Sequence, residues 1–522
     1  MEARYRIDGI LINANISTYM TGSSLIALGL NWWQAIIAIV VGNLLATVFV
    51  ILNSLPGAYY NLGFPVVNRY VWGLYGSQYG FQSWIGGECL YVCLLALSPS
   101  LESHIPNTLP SSTGTTTAHF LAYILFMLLS LPVLYIRPHN LTRFFHASAT
   151  IILVFFLVLL IWALATMGPA GFGDTFSSSP SPGTETSLGW LVCYGVISTI
   201  GSIAAGILNQ NDYARFARAP RDAVLGQLWS FPLYAILCSV AGILVTAATQ
   251  QRFGGEALWS LPDLLGAVVA AGGGRSRAAA FFGGAALVVS QVGVNVPGNA
   301  LSGGFDFAAT FPTYINIRRG AYLTAALSIA TNPWLLVNTA TTFLSVLSAY
   351  AVFLGPMTGC MIASYLLVNR RKLKVEDLYR PDRSVYWYAR GVNWRAAAAW
   401  AAGTAPSLPG FVASLDASVA VPVGLTRLYY LCFLSGFCIA AAVYAALHAA
   451  FPARAVAEWV AGAPPAGVLM RAYRERWDGE EGAEVVDEVG VGGEGEERVV
   501  GRGDGGEDGK GGRVAVRGVD GV

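Results

Sequence analysis

Apolar runs long enough to carry a helix of about 20 residues across a bilayer recur along the chain. They are centred near residues 19, 44, 88, 128, 155, 198, 237, 290, 330, 355, 404 and 438. In hydrocarbon every backbone polar group must find its partner within the protein, which leaves a chain like this few folds. The runs predict an all-α polytopic membrane protein of about 12 transmembrane helices. The third, eighth and eleventh are the most interrupted by glycine and polar residues.

Composition agrees and excludes several function classes. The 522 residues are 55% hydrophobic and only 12% charged, against roughly 25% charged in an average soluble domain. Acidic residues gather after Trp477, and nothing in the charge distribution suits a nucleic-acid partner. The seven cysteines all lie inside apolar runs, without zinc-type spacing or loop pairing. No metal site or cofactor is expected. A Walker-type GxxxxGK[ST] sequence is lacking, which argues against an ATP-driven pump, and no enzyme motif is credible.

Basic residues set the expected orientation. With the N-terminus inside, the inner loops hold Arg69, Arg137, Arg143, Arg215, Arg218, Arg221, Arg318, Arg319 and the cluster from Arg370 to Arg395. The outer loops 99–118 and 168–187 hold no Lys or Arg, and only the loop from Gln250 to Arg277 dissents. MEARYRIDG leads into the first run as an internal signal-anchor does, without a cleavable leader. The Asn140-Leu-Thr142 sequon would then face the cytoplasm unmodified.

Several spans are too polar for simple anchors. From Leu287 to Gly320 the chain reads LVVSQVGVNVPGNALSGGFDFAATFPTYINIRRG. Amides, glycine and proline inside an apolar run suggest a helix that bends beside a wet pathway; a packing helix whose amides bond its neighbours is the plainer alternative. The first span carries Asn13, Asn15, Ser17, Thr18 and Tyr19 before Gly22, Ser23 and Ser24, and the sixth is broken from Gly201 to Gly206. Two breaks five spans apart are what an inverted repeat of five helices would produce.

The pieces TGSSLIALGLNWWQA (21–35), GFPVVNRYVWGLYGS (63–77), NQNDYARFA (209–217), VGVNVPGN (292–299) and FPTYINIRRG (311–320) resemble the nucleobase cation symporter-1 family, in its fungal uracil, allantoin and uridine permease branch. The resemblance runs from about Asp8 to Leu447. It implies a leucine-transporter-like fold, with a five-plus-five inverted repeat followed by two extra helices, and alternating access to a site at mid-membrane. The expected domains are a short cytoplasmic N-terminus (1–7), a transporter core (8–367), a cytoplasmic loop (368–392), two accessory spans (393–449) and a cytoplasmic tail (450–522), mostly disordered because the acidic, glycine-rich sequence from Arg471 onward cannot form a core.

Carried over residue by residue, the resemblance implies substrate binding at Asn15 and Tyr19 of the first span, Gln82 of the third and Asn299 of the eighth. Carboxamides both donate and accept, which suits the alternating N–H and C=O edge of a pyrimidine or ureide. Position 78 is Gln where the family carries a stacking tryptophan, and Ser77 and Tyr79 stand almost together, as if the start of the third span were deleted. Trp84 is the substitute stacking candidate, or an interfacial aromatic. Gly293 and Val294 replace two hydroxyl residues that ligate sodium in sodium-coupled relatives, so protons are the favoured coupling ion. Glu88 and Asp306 are the candidate proton carriers, Asp306 alternatively pairing with Arg318 or Arg319. Asp212 is expected to pair with Arg215 at an inner gate. Gly355-Pro356 would hinge or gate the tenth span in this fold, or be a proline kink with no gating role.

The expected function is import of a small heterocycle of the uracil, allantoin or uridine type, by proton symport across the plasma membrane, with both termini cytoplasmic. The alternative is a transport-inactive or ligand-sensing member with a shortened third span. Beyond substrate and lipid, homo-oligomer formation stays open.

Overall fold

The computed structural model describes residues 14–73, 106–110, 115–136, 138–168, 171–172, 187–217, 219–311, 313–330, 334, 339–380, 384–389, 391–415 and 418–480. Among them secondary structure is helical apart from two isolated bridges, Gly73 with Val392 and Ala389 with Val392. Eight helical segments are long and apolar enough to cross a membrane. They are Trp32–Tyr60, Thr117–Tyr135, Arg143–Ala165, Leu188–Ala214, Pro220–Thr249, Gly274–Ala308, Ala340–Val368 and Cys432–Ala450. These match the second, fourth to eighth, tenth and twelfth expected spans.

Three further expected spans are helical but short: Ile16–Ala27 for the first, Ile317–Ala330 for the ninth and Trp394–Thr404 for the eleventh. The 12 residues of Ile16–Ala27 rise only about 18 Å, too little to cross alone. The third span, centred near residue 88, lies outside the described residues. Loop helices Phe64–Trp72 and Leu261–Ala270 complete the core.

The outward faces identify the solvent. Leu121, Leu125, Leu128 and Leu129 of the fourth span and Val154, Leu157, Val158 and Ile161 of the fifth are exposed. So large an apolar surface would drive aggregation in water and is at rest against acyl chains.

Inside, small residues let backbones touch. A Cβ at Gly22 would stand 2.2 Å from the Ser239 carbonyl oxygen, and one at Gly242 would stand 2.3 Å from that of Tyr19. The first and seventh spans therefore approach closely enough for the Ser239 hydroxyl to donate to the Thr18 carbonyl at 2.9 Å. A similar approach at Gly57 lets its N–H donate to Asn211 Oδ1 at 2.8 Å, while Asn53 Nδ2 donates to the Ile207 carbonyl at 2.7 Å. These bonds hold the second span to the sixth. In the tenth span Gly355 and Gly359 lie against the Phe433 and Phe437 backbone, so the expected hinge is first a packing surface. It ends in a π-helical turn, Ser364–Val368.

The described part of the tail carries two helices, Arg454–Gly462 and Ala466–Glu480, the second entering the stretch after Arg471 whose composition predicts disorder; residues 481–522 lie outside the described residues. Mean hydropathy hides the anchors: Val456, Val460 and Met470 are buried, and the Tyr473 ring packs edge-on against Tyr60 at 5.6 Å. Lys372 Nζ donates to the Val460 and Ala463 carbonyls at 2.8 and 2.9 Å, closing the C-terminal end of the first tail helix.

Two predictions follow from this packing. Gly242→Val should drive a side chain into the Tyr19 backbone, sharply reducing surface-resident, detergent-stable protein on a fluorescence size-exclusion trace. Tyr473→Ala should release the tail at a cost of about 0.5–1.5 kcal/mol, seen as faster limited proteolysis after Ala450 with the transmembrane body still resistant.

Candidate functional site

The eighth span holds the site. Helix Gly274–Asn295 passes into a π-helical stretch, Val296–Leu301, and resumes as Ser302–Thr310. Pro297 has no N–H to donate to the preceding turn, and a wider turn accommodates that loss without ending the helix. The π-helical stretch falls where the sequence suggested a bend. Within it Asn299 Nδ2 donates to Asn295 Oδ1 at 2.9 Å.

Both amides line a cavity of about 20 Å³, together with Ser130 of the fourth span and Thr324 and Ser328 of the ninth. That is room for about one water, so a heterocycle would enter only after these walls separate. The three hydroxyls donate to carbonyls of their own helices: Ser130 to Phe126, Thr324 to Gly320 and Ser328 to Ala325. Their protons are committed; the Ser328 oxygen also meets the Tyr123 hydroxyl at 3.4 Å, and the Ser130 and Thr324 oxygens can each accept. The site thus combines two amides with acceptor hydroxyls and offers no net charge, which suits a neutral polar ligand.

The other sequence-derived residues are placed differently. Asn15 caps the first helix from an extended backbone, its Oδ1 accepting from the Thr18 N–H at 2.9 Å and from the Thr18 hydroxyl at 3.2 Å. Tyr19 is fully buried and stacks on Phe156 at 5.3 Å. Its hydroxyl lies beside Thr246 without completing a hydrogen bond of good geometry. Neither residue lines the cavity that holds Asn299. Gln82, Trp84 and Glu88 lie outside the described residues.

Of the acidic residues, Asp306 is buried on the helix after the π turn. The arginines expected to pair with it are engaged elsewhere: Arg318 lies over the Tyr135 ring, and Arg319 donates to the Tyr314 carbonyl at 3.2 Å. For Asp212 the expected pair with Arg215 does not close. Asp212 Oδ1 accepts from the Phe64 N–H at 2.9 Å, and its buried Oδ2 has no hydrogen-bond partner. Arg215 places its guanidinium over the Phe216 and Phe305 rings, with Nε donating to the Asp212 carbonyl at 3.3 Å. Gly63 sits between the two groups, where a Cβ would stand 2.8 Å from Asp212 Oδ1 and 3.0 Å from an Arg215 guanidinium nitrogen, and so lets the N-terminal end of Phe64–Trp72 reach the carboxylate.

Sequence reasoning named Asn295 only as a polar residue of the stretch and missed Ser130, Thr324 and Ser328. The i,i+4 spacing of Asn295 and Asn299 was a usable signal for the first. The three hydroxyls had none, since serine and threonine are ordinary packing residues in membrane helices.

Comparison with known proteins agrees with this architecture. A family model described as "Permease for cytosine/purines, uracil, thiamine, allantoin" matches residues 10–436. The allantoin permease of Saccharomyces cerevisiae is 34% identical over 484 residues, covering 89% of this chain and 74% of the permease. The uracil permease of the same yeast is 32% identical over 485 residues, covering 89% and 75%. Among solved structures, the nucleobase-cation-symport-1 family transporter Mhp1, closed with bromovinylhydantoin bound, superposes with a TM-score of 0.64 at 20% identity, covering 90% of this chain and 96% of that one. That likeness shows the leucine-transporter-like fold. The match along residues 10–436 and the identity to the yeast permeases show that this chain belongs to the nucleobase cation symporter-1 family of permeases for cytosine, purines, uracil, thiamine and allantoin.

Proposed function

We propose that the chain is a secondary active importer of a neutral nucleobase or ureide of the uracil, allantoin or uridine type, driven by proton symport. The observation that carries this reading is the amide pair Asn295 and Asn299, set in the only π-helical turn within the described eighth span and facing hydroxyl acceptors. When the walls part, each carboxamide can exchange its partner for the N–H or C=O of a ligand. Asn15, Tyr19, Gln82 and Asn299 are the proposed substrate contacts, with Trp84 the proposed stacking surface. Protons are preferred to sodium because Gly293 and Val294 offer no side-chain oxygen. Glu88 and Asp306 are the proposed carriers, the plasma membrane is the proposed location, and both termini are proposed to be cytoplasmic.

Asp212 is proposed to act at the inner gate. It ties the N-terminal end of Phe64–Trp72 to the sixth span, so that loop helix moves only when the bond is broken.

The test is uptake of radiolabelled uracil, with allantoin and uridine as competitors, in yeast lacking its own permeases and with surface protein quantified. Uptake should be saturable and higher at pH 5 than at pH 7.5, because the inward proton gradient and the protonated carrier both favour import at low pH. Asn299→Ala should raise KM about tenfold, the loss of one ligand hydrogen bond of about 1–3 kcal/mol. Asp212→Ala should lower the maximal rate several-fold with KM nearly unchanged, as expected of a gate. Normal surface protein with no uptake of any of the three ligands would overturn the reading.

A further inference from the structure

We infer that Gln291 is a further ligand-recognising amide of the eighth span, taking the N–H/C=O edge of an uncharged cyclic imide, lactam or ureide. This rests on the transport reading above. Gln291 is 0% exposed, and neither its Oε1 nor its Nε2 has a hydrogen-bond partner among the described residues. It stands at the middle of the 35-residue segment Gly274–Ala308, the depth at which bilayer water is scarcest. An unpaired carboxamide there is among the costliest side chains a membrane helix can hold.

Its direction follows from the helix. Gly293 packs toward the fifth span, where a Cβ would stand 2.2 Å from Ser148 Oγ. Two positions along an α-helix turn by about 200°, so Gln291 points away from the fifth span. Four positions on, Asn295 lies on the same face. Gln291, Asn295 and Asn299 therefore form one amide stripe, of which the last two are bonded to each other and the first is not.

A packing role would be served as well by leucine or methionine, which fill the same space without polar atoms. A glutamine kept unpaired at this depth is explained if another state completes it. A ligand seated beside the stripe does so in one step: the amide oxygen accepts the ligand N–H while the amide nitrogen donates to the adjacent ligand C=O. Such a two-bond contact rejects analogues that lack either group, because one half of the amide would stay buried and unmatched.

The experiment compares wild type with Gln291→Leu in the same uptake assay, with surface protein quantified. KM for uracil and the ratio of competition by uracil to competition by N3-methyluracil are the two readouts. Gln291→Leu should reach the surface, raise KM tenfold or more and bring the competition ratio close to one. An unchanged KM and ratio, or a uniform loss of maximal rate with the ratio intact, would overturn the inference and leave only a packing role. If Gln291→Leu is retained inside the cell, Gln291→Asn decides: it keeps both groups but draws them back, and should raise KM and shift the ratio, wild-type values overturning the inference. A surface-expressed wild type that takes up neither uracil, allantoin nor uridine would overturn the transport reading itself, before any variant is compared.

Discussion

No water reaches the middle of a bilayer to satisfy a polar group, and the interior of this protein is arranged around that constraint. Serine and threonine hydroxyls donate to the preceding turn of their own helices, as Ser130 does to Phe126 and Thr324 to Gly320. Asparagine amides bridge between helices, as Asn53 does to Ile207 and Asn211 to Gly57. Against that background the exceptions stand out. Among them are Gln291, the Asp212 Oδ2 and the Tyr19 hydroxyl, buried without a completed hydrogen bond.

Close approach makes the satisfied bonds reachable. A serine hydroxyl is short, so Ser239 bonds the Thr18 carbonyl only because Gly22 and Gly242 let the first and seventh helices touch backbone to backbone. Packing between apolar helices gains little in lipid from the hydrophobic effect itself, so van der Waals contact and these bonds define the arrangement. The same logic governs the tail, whose helices are held by Lys372, by the Tyr60–Tyr473 contact and by a few buried apolar side chains. The Tyr60–Tyr473 contact links the end of the second span to the second tail helix.

The candidate site rests on departures from regularity. Pro297 removes one donor from the eighth span, and the π turn that follows sets Asn295 beside Asn299. Asn15 is equally irregular: its extended backbone starts the first helix inside an apolar run. Both features were legible as polar and proline-bearing interruptions. Their use was less so. Asn15 spends its oxygen on the helix it caps, whereas Asn299 faces a cavity, and nothing in residue type separates an amide that caps from one that lines a cavity.

The sequence by itself determined the membrane class, the position of the described spans, the family and the importance of the Leu287–Gly320 stretch. Apolar length and collinear motifs are local properties of a chain, and a bilayer translates length directly into a spanning helix. Only the tertiary structure decided which polar groups meet. It gave Asn299 to Asn295, took Asp212 from Arg215 and gave it to the Phe64 N–H, and added Ser130, Thr324 and Ser328 to the cavity. It also carried a helix from Ala466 to Glu480, a few residues into the stretch where average composition argued for disorder. Hydrogen-bond partners depend on ångström-scale approach between helices far apart in sequence, and that approach is set by glycines whose neighbours no local pattern reveals.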